Sequence, residues 1–186
     1  MWITNLTQKI ERLAVKIKFF YRIASRYYQS IIKNEIDLAD ITKNDHILCI
    51  GGGSCPFSAI LLHQTTGAKV TVIDNNKCCI PKARKIIKRL GIGKSIKVLC
   101  QDGRNIELEF SKYSVIHLAL QVAPMENVLT QLEKQITPGT KLLIRKPKKQ
   151  LEKLYSRFPI LYECRYAAHK LSNIDRTILF VKKEGA

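Results

Sequence analysis

An apolar run at residues 47–50 ends abruptly in three consecutive glycines, and a second apolar stretch begins at residue 57. This order predicts a buried strand, a tight turn and the first turns of a helix. Glycine permits positive φ angles and places no Cβ between the backbone and a bound molecule. Because the first N–H groups of a helix have no partner within it, they can face such a ligand. The segment is typical of a nucleotide-cofactor site in an α/β fold.

A second apolar run, residues 70–73, ends in an acid, Asp74. Dinucleotide-binding folds place the acid that accepts hydrogen bonds from ribose hydroxyls about 20 residues beyond the glycines, and Asp74 has that spacing. We therefore predict a cofactor that contains adenosine. A dehydrogenase would use Asp74 equally well, but the segment after the third strand and the pattern at the end of the chain fit that class less well.

The rest of the chain alternates short apolar runs with amphipathic segments, which predicts a parallel sheet with helices on both faces. Strands are predicted at residues 46–50, 69–73, 96–100, 115–120 and 141–145. Helices are predicted at residues 56–64, 77–90 and 124–136, with a short one at 148–157. A polar turn separates two further strands, 160–167 and 176–182, and predicts an antiparallel hairpin at the sheet edge. The expected fold class is α/β, a Rossmann-like doubly wound sheet, mostly parallel with a C-terminal antiparallel hairpin and preceded by an N-terminal helix.

The N-terminal region carries an apolar stripe at alternating steps of three and four residues, from Leu6 to Ile31. We expect a helical cap over residues 1–40 and a Rossmann-like cofactor-binding domain over residues 41–186. The stripe would be buried against the sheet or against a second copy of the chain, so a homodimer through this helix is one expectation. Basic amphipathic helices also lie on anionic membranes, and this alternative stays open.

The net charge of the chain is +17, from 32 Lys and Arg against 15 Asp and Glu. Such a balance attracts polyanions, including nucleic acid. Because the Lys residues are spread along the chain rather than gathered in one block, we interpret the charge mainly as a solvated surface. Nucleic acid is the less favoured partner.

Cysteine usage and hydropathy limit the cellular compartments in which the protein can be expected. The six Cys form no Cys-x-x-Cys pair and have no spacing with His that is typical of a zinc site, so no metal is expected. No apolar stretch reaches the roughly 18 residues that a membrane span needs. Charged residues interrupt the N-terminal segment, which argues against a signal peptide. We therefore expect a cytoplasmic protein without a membrane span.

Four glycine-containing or polar segments follow four predicted strands, at the sheet edge where open α/β sheets bind ligands. The predicted cofactor-binding residues are Gly51, Gly52, Gly53, Ser54, Cys55, Asp74, Asn75, Asp102, Gly103, Leu118 and Gln121. Tyr28 and Glu35 in the N-terminal helix are the catalytic candidates, because an aromatic hydroxyl and a carboxylate can hold a cationic amine. The four scattered His residues are interpreted as structural or exposed rather than catalytic.

The order of glycine loop and acids resembles class I S-adenosylmethionine-dependent methyltransferases. The resemblance implies that Gly51 and Gly53 lie beside the methionine part of S-adenosylmethionine, that Asp74 binds its ribose and that Asp102 caps its adenine. It favours methyl transfer to a small-molecule acceptor, in particular an amine, with S-adenosylhomocysteine as product. Methyl transfer from a sulfonium depends mainly on alignment, so the absence of an obvious catalytic base does not oppose this hypothesis.

A closer resemblance is to the nicotianamine synthases, whose glycine loop has the arrangement of Gly51, Gly53 and Pro56. The segments 116–120 and 137–145 also resemble that family, as does the segment that contains Tyr28 and Glu35. This resemblance implies transfer of an aminocarboxypropyl group from the same cofactor, with methylthioadenosine as product, and it is the first alternative. A basic RNA-binding protein or an RNA methyltransferase is a further alternative.

Overall fold

A mixed sheet organises the part of the chain that the computed structural model describes, residues 18–156, 165–170 and 173–182. Its strands are β1 His46–Ile50, β2 Lys69–Asp74, β3 Ile96–Cys100, β4 Val115–Leu118, β5 Lys141–Pro147, β6 Tyr166–Ala168 and β7 Ile174–Val181. The α-helices are α1 Lys18–Ala39, α2 Phe57–Thr66, α3 Ile80–Arg89 and α4 Met125–Gln135. Short 3-10 helices occupy Phe110–Lys112 and Lys149–Leu154.

The strand order across the sheet is β3-β2-β1-β4-β5-β7-β6. Strands β1 to β5 are parallel, whereas β7 runs antiparallel to β5 and β6 runs antiparallel to β7. Parallel neighbours need long crossover connections, while a short polar turn suffices between the antiparallel strands β6 and β7. The predicted fold class and the C-terminal hairpin are confirmed.

The central strand β1 shows why the sequence forms this architecture. Successive side chains of a strand point to opposite faces, and Ile47 and Cys49 enter one apolar cluster while Leu48 and Ile50 enter the other. The first cluster includes buried residues of α1, α2 and α3, and the second includes buried residues of α4. A strand covered on both faces must be apolar throughout, which explains its unbroken apolar run.

The C-terminal half of α1 is part of the core, since Ile32, Leu38 and Ala39 are buried in the cluster that covers one face of the sheet. The stripe of apolar residues from Leu6 to residue 17 lies outside the described residues. The division of the chain at residue 40 therefore stays a prediction. None of the described helices is long and apolar enough to cross a membrane.

Several predicted elements differ from the observed ones in their limits or type. Strand β4 ends at Leu118 instead of residue 120, because a turn follows in which the Val122 N–H donates to the Ala119 carbonyl at 3.1 Å. The helix predicted at 77–90 begins only at Ile80, after a turn closed by the Cys79 N–H and the Asn76 carbonyl at 2.8 Å. The short helix at 148–157 is a 3-10 helix, and residues 160–164 of the next predicted strand lie outside the described residues.

Candidate functional site

A cavity of about 400 Å³ lies at the carboxyl ends of the parallel strands. Its size is that of a small-molecule site, and its position is where open α/β sheets bind ligands. Most of the predicted site residues line it, namely Tyr28, Gly51, Gly52, Gly53, Ser54, Cys55, Asp74, Asn75, Asp102, Gly103 and Gln121. The structure therefore brings together residues that are far apart in the sequence.

The glycine loop is held against the neighbouring strand by its own amide groups. Gly51 and Gly53 have φ angles of 84° and 61°, in the left-handed region that favours glycine. The N–H groups of Gly51 and Gly52 both donate to the Ile73 carbonyl, at 2.9 and 3.2 Å. The hydrogen-bonding capacity of both amides is thus satisfied within the protein. A ligand would therefore contact the closely packed backbone of the loop rather than these N–H groups.

At two positions of the loop, steric contact with neighbouring side chains also requires glycine. A Cβ at Gly51 would lie 2.8 Å from Cγ2 of Val122, and one at Gly52 would lie 2.2 Å from Cγ1 of Val72. Both separations are shorter than carbon atoms tolerate, and neither neighbour is a flexible side chain. The sequence motif therefore reflects packing as well as access for a ligand.

The carboxylate of Asp74 fixes the far end of the glycine loop. Its Oδ2 accepts a hydrogen bond from the Gly53 N–H at 2.7 Å, and its Oδ1 accepts one from the Asn76 N–H at 2.9 Å. An ionised carboxylate can accept about four hydrogen bonds. Asp74 therefore retains acceptor capacity for hydroxyl donors in the cavity.

Asp102 lines the cavity in an ion pair with Arg104. The guanidinium donates from Nε to Oδ1 at 3.0 Å and from Nη2 to Oδ2 at 2.7 Å. The hydrogen bonds from Arg104 lower the pKa of Asp102 to about 2. Asp102, which the family resemblance suggested as the acid that caps the adenine, thus already accepts hydrogen bonds from a guanidinium within the protein.

Gln101, next to Asp102, was missed as a site residue. Its Oε1 is buried, the residue lines the cavity, and no hydrogen-bond partner for this oxygen occurs in the described part of the chain. A buried acceptor is nearly always satisfied by a donor. The cavity thus contains an unused acceptor beside the predicted adenine position.

At the other end of the cavity, buried polar and charged side chains from four secondary-structure elements meet. Glu35 is fully buried and accepts hydrogen bonds from Arg145, Nε to Oε1 at 2.7 Å and Nη2 to Oε2 at 2.8 Å. Thr177 donates to Oε1 at 2.7 Å, and Nε2 of His117 lies 3.3 Å from Oε2. Arg145 also donates to Oγ of Ser58 at 2.9 Å. We call Glu35, Arg145, His117 and Thr177 the buried cluster.

The buried cluster has a defined protonation state. Burial alone would raise the pKa of Glu35, but the charges and hydrogen bonds of Arg145 and His117 outweigh it and hold this pKa well below its usual range. Burial, reinforced by Arg145, lowers the pKa of His117, so its imidazole is neutral at pH 7. Since an ionised carboxylate only accepts, Nε2 of His117 carries the hydrogen. Burial raises the pKa of the adjacent Cys49 thiol to about 12, which leaves it unreactive.

Two predicted site residues do not line the cavity. Leu118 is fully buried in the apolar cluster beneath α4, because the last residue of a central parallel strand is covered on both faces. Glu35 lies behind the cavity wall, and its partners Arg145 and His117 line the cavity in its place. His117, interpreted from the sequence as structural or exposed rather than catalytic, is buried and also belongs to the wall, and the interpretation stays a prediction.

Aromatic and amide groups complete the wall near the buried cluster. The Tyr28 ring stacks on Phe57 with centroids 5.7 Å apart, and Cζ of Arg145 lies 5.7 Å from the Tyr28 centroid. The Tyr27 hydroxyl donates to Oδ1 of Asn173 at 2.6 Å, which ties α1 to the C-terminal hairpin. Tyr28 of α1 thus lies in the cavity wall.

A family model described as nicotianamine synthase protein matches residues 15–171. The chain belongs to this family. The match covers most of the chain and includes all of the predicted site residues.

Two curated relatives carry the name L-histidine 2-aminobutanoyltransferase. The protein from Yersinia pestis is 28% identical over 120 residues, which is 63% of this chain and 43% of that protein. The protein from Pseudomonas aeruginosa strain UCBPP-PA14 is 27% identical over 124 residues, which is 64% of this chain and 46% of that protein. This nicotianamine synthase family member thus spans less than half the length of the curated relatives it matches.

Solved structures share the fold. A mutant of MtNAS in complex with S-adenosylmethionine has a TM-score of 0.79 and 20% identity, over 98% of this chain and 75% of that chain. An RNA methyltransferase from Salinibacter ruber in complex with S-adenosyl-L-homocysteine has a TM-score of 0.67 and 19% identity, over 84% of this chain and 93% of that chain. Both structures share the fold of this nicotianamine synthase family member, so its sheet is of the type found in methyltransferases.

Proposed function

We propose that this nicotianamine synthase family member is a transferase that uses S-adenosylmethionine and acts on a small-molecule acceptor. The observation that carries the proposal is the cavity at the strand ends, where the Asp74 carboxylate at the end of β2 lies between the constrained glycine turn after β1 and the unpartnered acceptor of Gln101 after β3. The bound cofactor would supply an electrophilic sulfonium from which a carbon group is transferred.

The residues present fit an adenosine-containing cofactor. Asp74 keeps acceptor positions for two ribose hydroxyls, and Oε1 of Gln101 can accept from the amino group of an adenine. The backbone of the glycine loop, including Gly51 and Gly53, lines the cavity and can lie beside the methionine part. With the cofactor's polar groups held in this way, binding energy fixes the sulfonium in position.

The acceptor would enter beside the buried cluster. Tyr28, Asn173 and the cavity-facing side chains of Arg145 and His117 form this wall. We propose an amine as acceptor, held by the aromatic face and the amide oxygen. The bound cofactor would offer an electrophilic carbon on its sulfonium to the neutral form of this amine. The adenosyl thioether would leave with the electron pair of the carbon–sulfur bond, and the surplus proton of the amine would pass to water.

We propose the aminocarboxypropyl group as the group transferred, because both curated relatives are named for aminobutanoyl transfer and the chain belongs to the nicotianamine synthase family. Methyl transfer, which the sequence favoured, is the second candidate. It is supported by the fold shared with the methyltransferase from Salinibacter ruber. A homodimer, a cytoplasmic location and a separate N-terminal cap stay predictions from the sequence.

Binding of the cofactor is the first test. S-adenosylmethionine should raise the melting temperature, because a ligand at about 100 times its Kd stabilises the native state by about 2.7 kcal/mol. For a chain of this length that corresponds to a shift of about 5–10 °C. Differential scanning fluorimetry and titration calorimetry measure both quantities, with ATP as a control ligand. The absence of both binding heat and a thermal shift at millimolar cofactor would refute the proposed function.

The transferred group is identified by the products. We expect methylthioadenosine when the protein is incubated with S-adenosylmethionine and an amine such as L-histidine, because aminocarboxypropyl transfer leaves the methyl group on sulfur. Liquid chromatography with mass spectrometry separates it from S-adenosylhomocysteine, the product of methyl transfer. A panel of primary amines and a sample without acceptor serve as controls. Accumulation of S-adenosylhomocysteine alone would overturn the choice of group and leave the choice of cofactor intact.

A further inference from the structure

One long segment of the chain carries basic residues and no acid. Residues 75–101 contain eight Lys and Arg and no Asp or Glu, so they contribute eight of the net seventeen positive charges. Five of the eight lie on α3, and they are Lys82, Arg84, Lys85, Lys88 and Arg89.

The fold gathers these side chains on one surface. Helix α3 buries the side chains on its inner side, which leaves its basic residues exposed on the outer side. Lys77 precedes the helix, Lys94 follows it, and Lys97 lies on β3, the edge strand of the sheet, and all three are exposed. We call the exposed Lys and Arg of residues 77–97 the basic face. None of them forms an ion pair within the described part of the chain.

A groove lies between the C-terminal half of α3 and the edge strand β3. Its floor is apolar, with Ile87 and Ile96, and its rim carries Lys88 and Lys94. Arg84 is fixed beside it, because its Nε and Nη2 donate to the Val98 carbonyl at 3.1 and 2.8 Å. The basic face is therefore a shaped surface with at least one guanidinium held in place.

The chemistry of the basic face selects its partner. Unneutralised charges of one sign repel each other, and an anion with regularly spaced charges relieves this repulsion best. Basic residues four apart on a helix, such as Arg84 and Lys88, repeat about every 6 Å along the axis. Residues 75–101 contain no Phe, Tyr or Trp, so the surface offers neither a base-stacking platform nor the aromatic anchors of membrane-binding helices.

We propose that the basic face binds the phosphodiester backbone of a nucleic acid. DNA and RNA share this chemistry, and contacts to phosphates alone carry no sequence information. Lys82 belongs both to the basic face and to the lining of the cavity, so a bound strand would run past the cavity mouth. This partner is independent of the group that the protein transfers.

Fluorescence anisotropy with the full chain tests the proposal. The probes are labelled 20-base-pair RNA and DNA duplexes of one sequence and the corresponding single strands, between 50 and 300 mM salt. We expect dissociation constants between about 1 and 100 μM that rise steeply with salt. The double substitution Lys85→Glu with Lys88→Glu should weaken binding about tenfold or more and reduce the salt slope by about two.

A matched variant separates location from net charge. Lys43 and Lys69 are exposed near the amino ends of β1 and β2, the end of the sheet opposite the cavity. Lys43→Glu with Lys69→Glu changes the net charge by the same amount and should change the affinity less than about threefold. Thermal melts and cofactor binding of both variants confirm that they fold. Comparison of the RNA and DNA probes shows which nucleic acid is preferred.

Three results would overturn the proposal. Equal losses in the two double variants would show that only net charge matters. Absence of binding by the unmodified protein at 50 mM salt would exclude nucleic acid as a partner. Cosedimentation with vesicles containing phosphatidylserine that is stronger than nucleic-acid binding, and that is lost in Lys85→Glu with Lys88→Glu, would assign the basic face to a membrane surface instead.

Discussion

Replacing Arg145 by Met should lower the free energy of unfolding by about 3–5 kcal/mol, because it removes one partner of a fully buried ion pair and leaves the Glu35 carboxylate without its guanidinium. Met is unbranched and fills much of the same volume, so the loss reports the charge rather than a large cavity. Chemical denaturation followed by circular dichroism measures the difference. Adding Glu35→Gln should restore part of the stability, since the uncompensated charge is then gone.

The matched control is Lys146→Met on the same strand. Lys146 pairs with Glu152 at 3.6 Å at the surface, and such exposed pairs contribute less than about 1 kcal/mol. In the unmodified protein the pKa of Glu35 is depressed, so its contribution is present above about pH 4.5 and is lost as pH falls below that value. The difference in the free energy of unfolding between the unmodified protein and Arg145→Met should therefore become smaller in acid. A constant gap, or a loss no larger than that of Lys146→Met, would contradict the role assigned to the buried cluster.

Much of the fold could be predicted because it rests on local periodicity. The limits of β1 and β3 match the prediction at both ends, since each is a mainly apolar run bounded by polar or glycine residues. The start of α3 was placed too early, because side-chain and backbone hydrogen bonds of Asn76 hold the preceding residues in a turn. Such local competition between turn and helix is weakly encoded in residue type.

The cofactor side of the cavity was also predictable, because its parts follow strand ends in a fixed order. The buried cluster was not, because its members lie up to 142 residues apart and pair only through the fold. A signal did exist: Arg145 follows three apolar residues in a buried strand, and Glu35 shares a helix face with Ile31 and Ile32, four and three residues before it. A charge in each of two apolar segments suggests a buried partner for both, since neither charge can be buried alone.

Asp74 is the point where the local structure and the proposed chemistry meet. Its two oxygens each accept a backbone N–H, one of them from Gly53 in the glycine loop. Removing the carboxylate would therefore take away the proposed ribose acceptor and also free the end of the loop. Both effects would weaken cofactor binding, and neither involves a side chain of the apolar core.

Asp74→Ala should weaken binding of S-adenosylmethionine by about 1.5–3 kcal/mol, the contribution of hydrogen bonds to a charged group, which corresponds to a roughly 10- to 150-fold higher Kd. Titration calorimetry measures the change. Asp37→Ala is the matched control, because Asp37 is exposed on α1 and outside the cavity lining, and it should leave the Kd unchanged. If a folded Asp74→Ala protein binds the cofactor within twofold of the unmodified chain, Asp74 does not hold the ribose and the placement of the cofactor along the glycine loop is wrong.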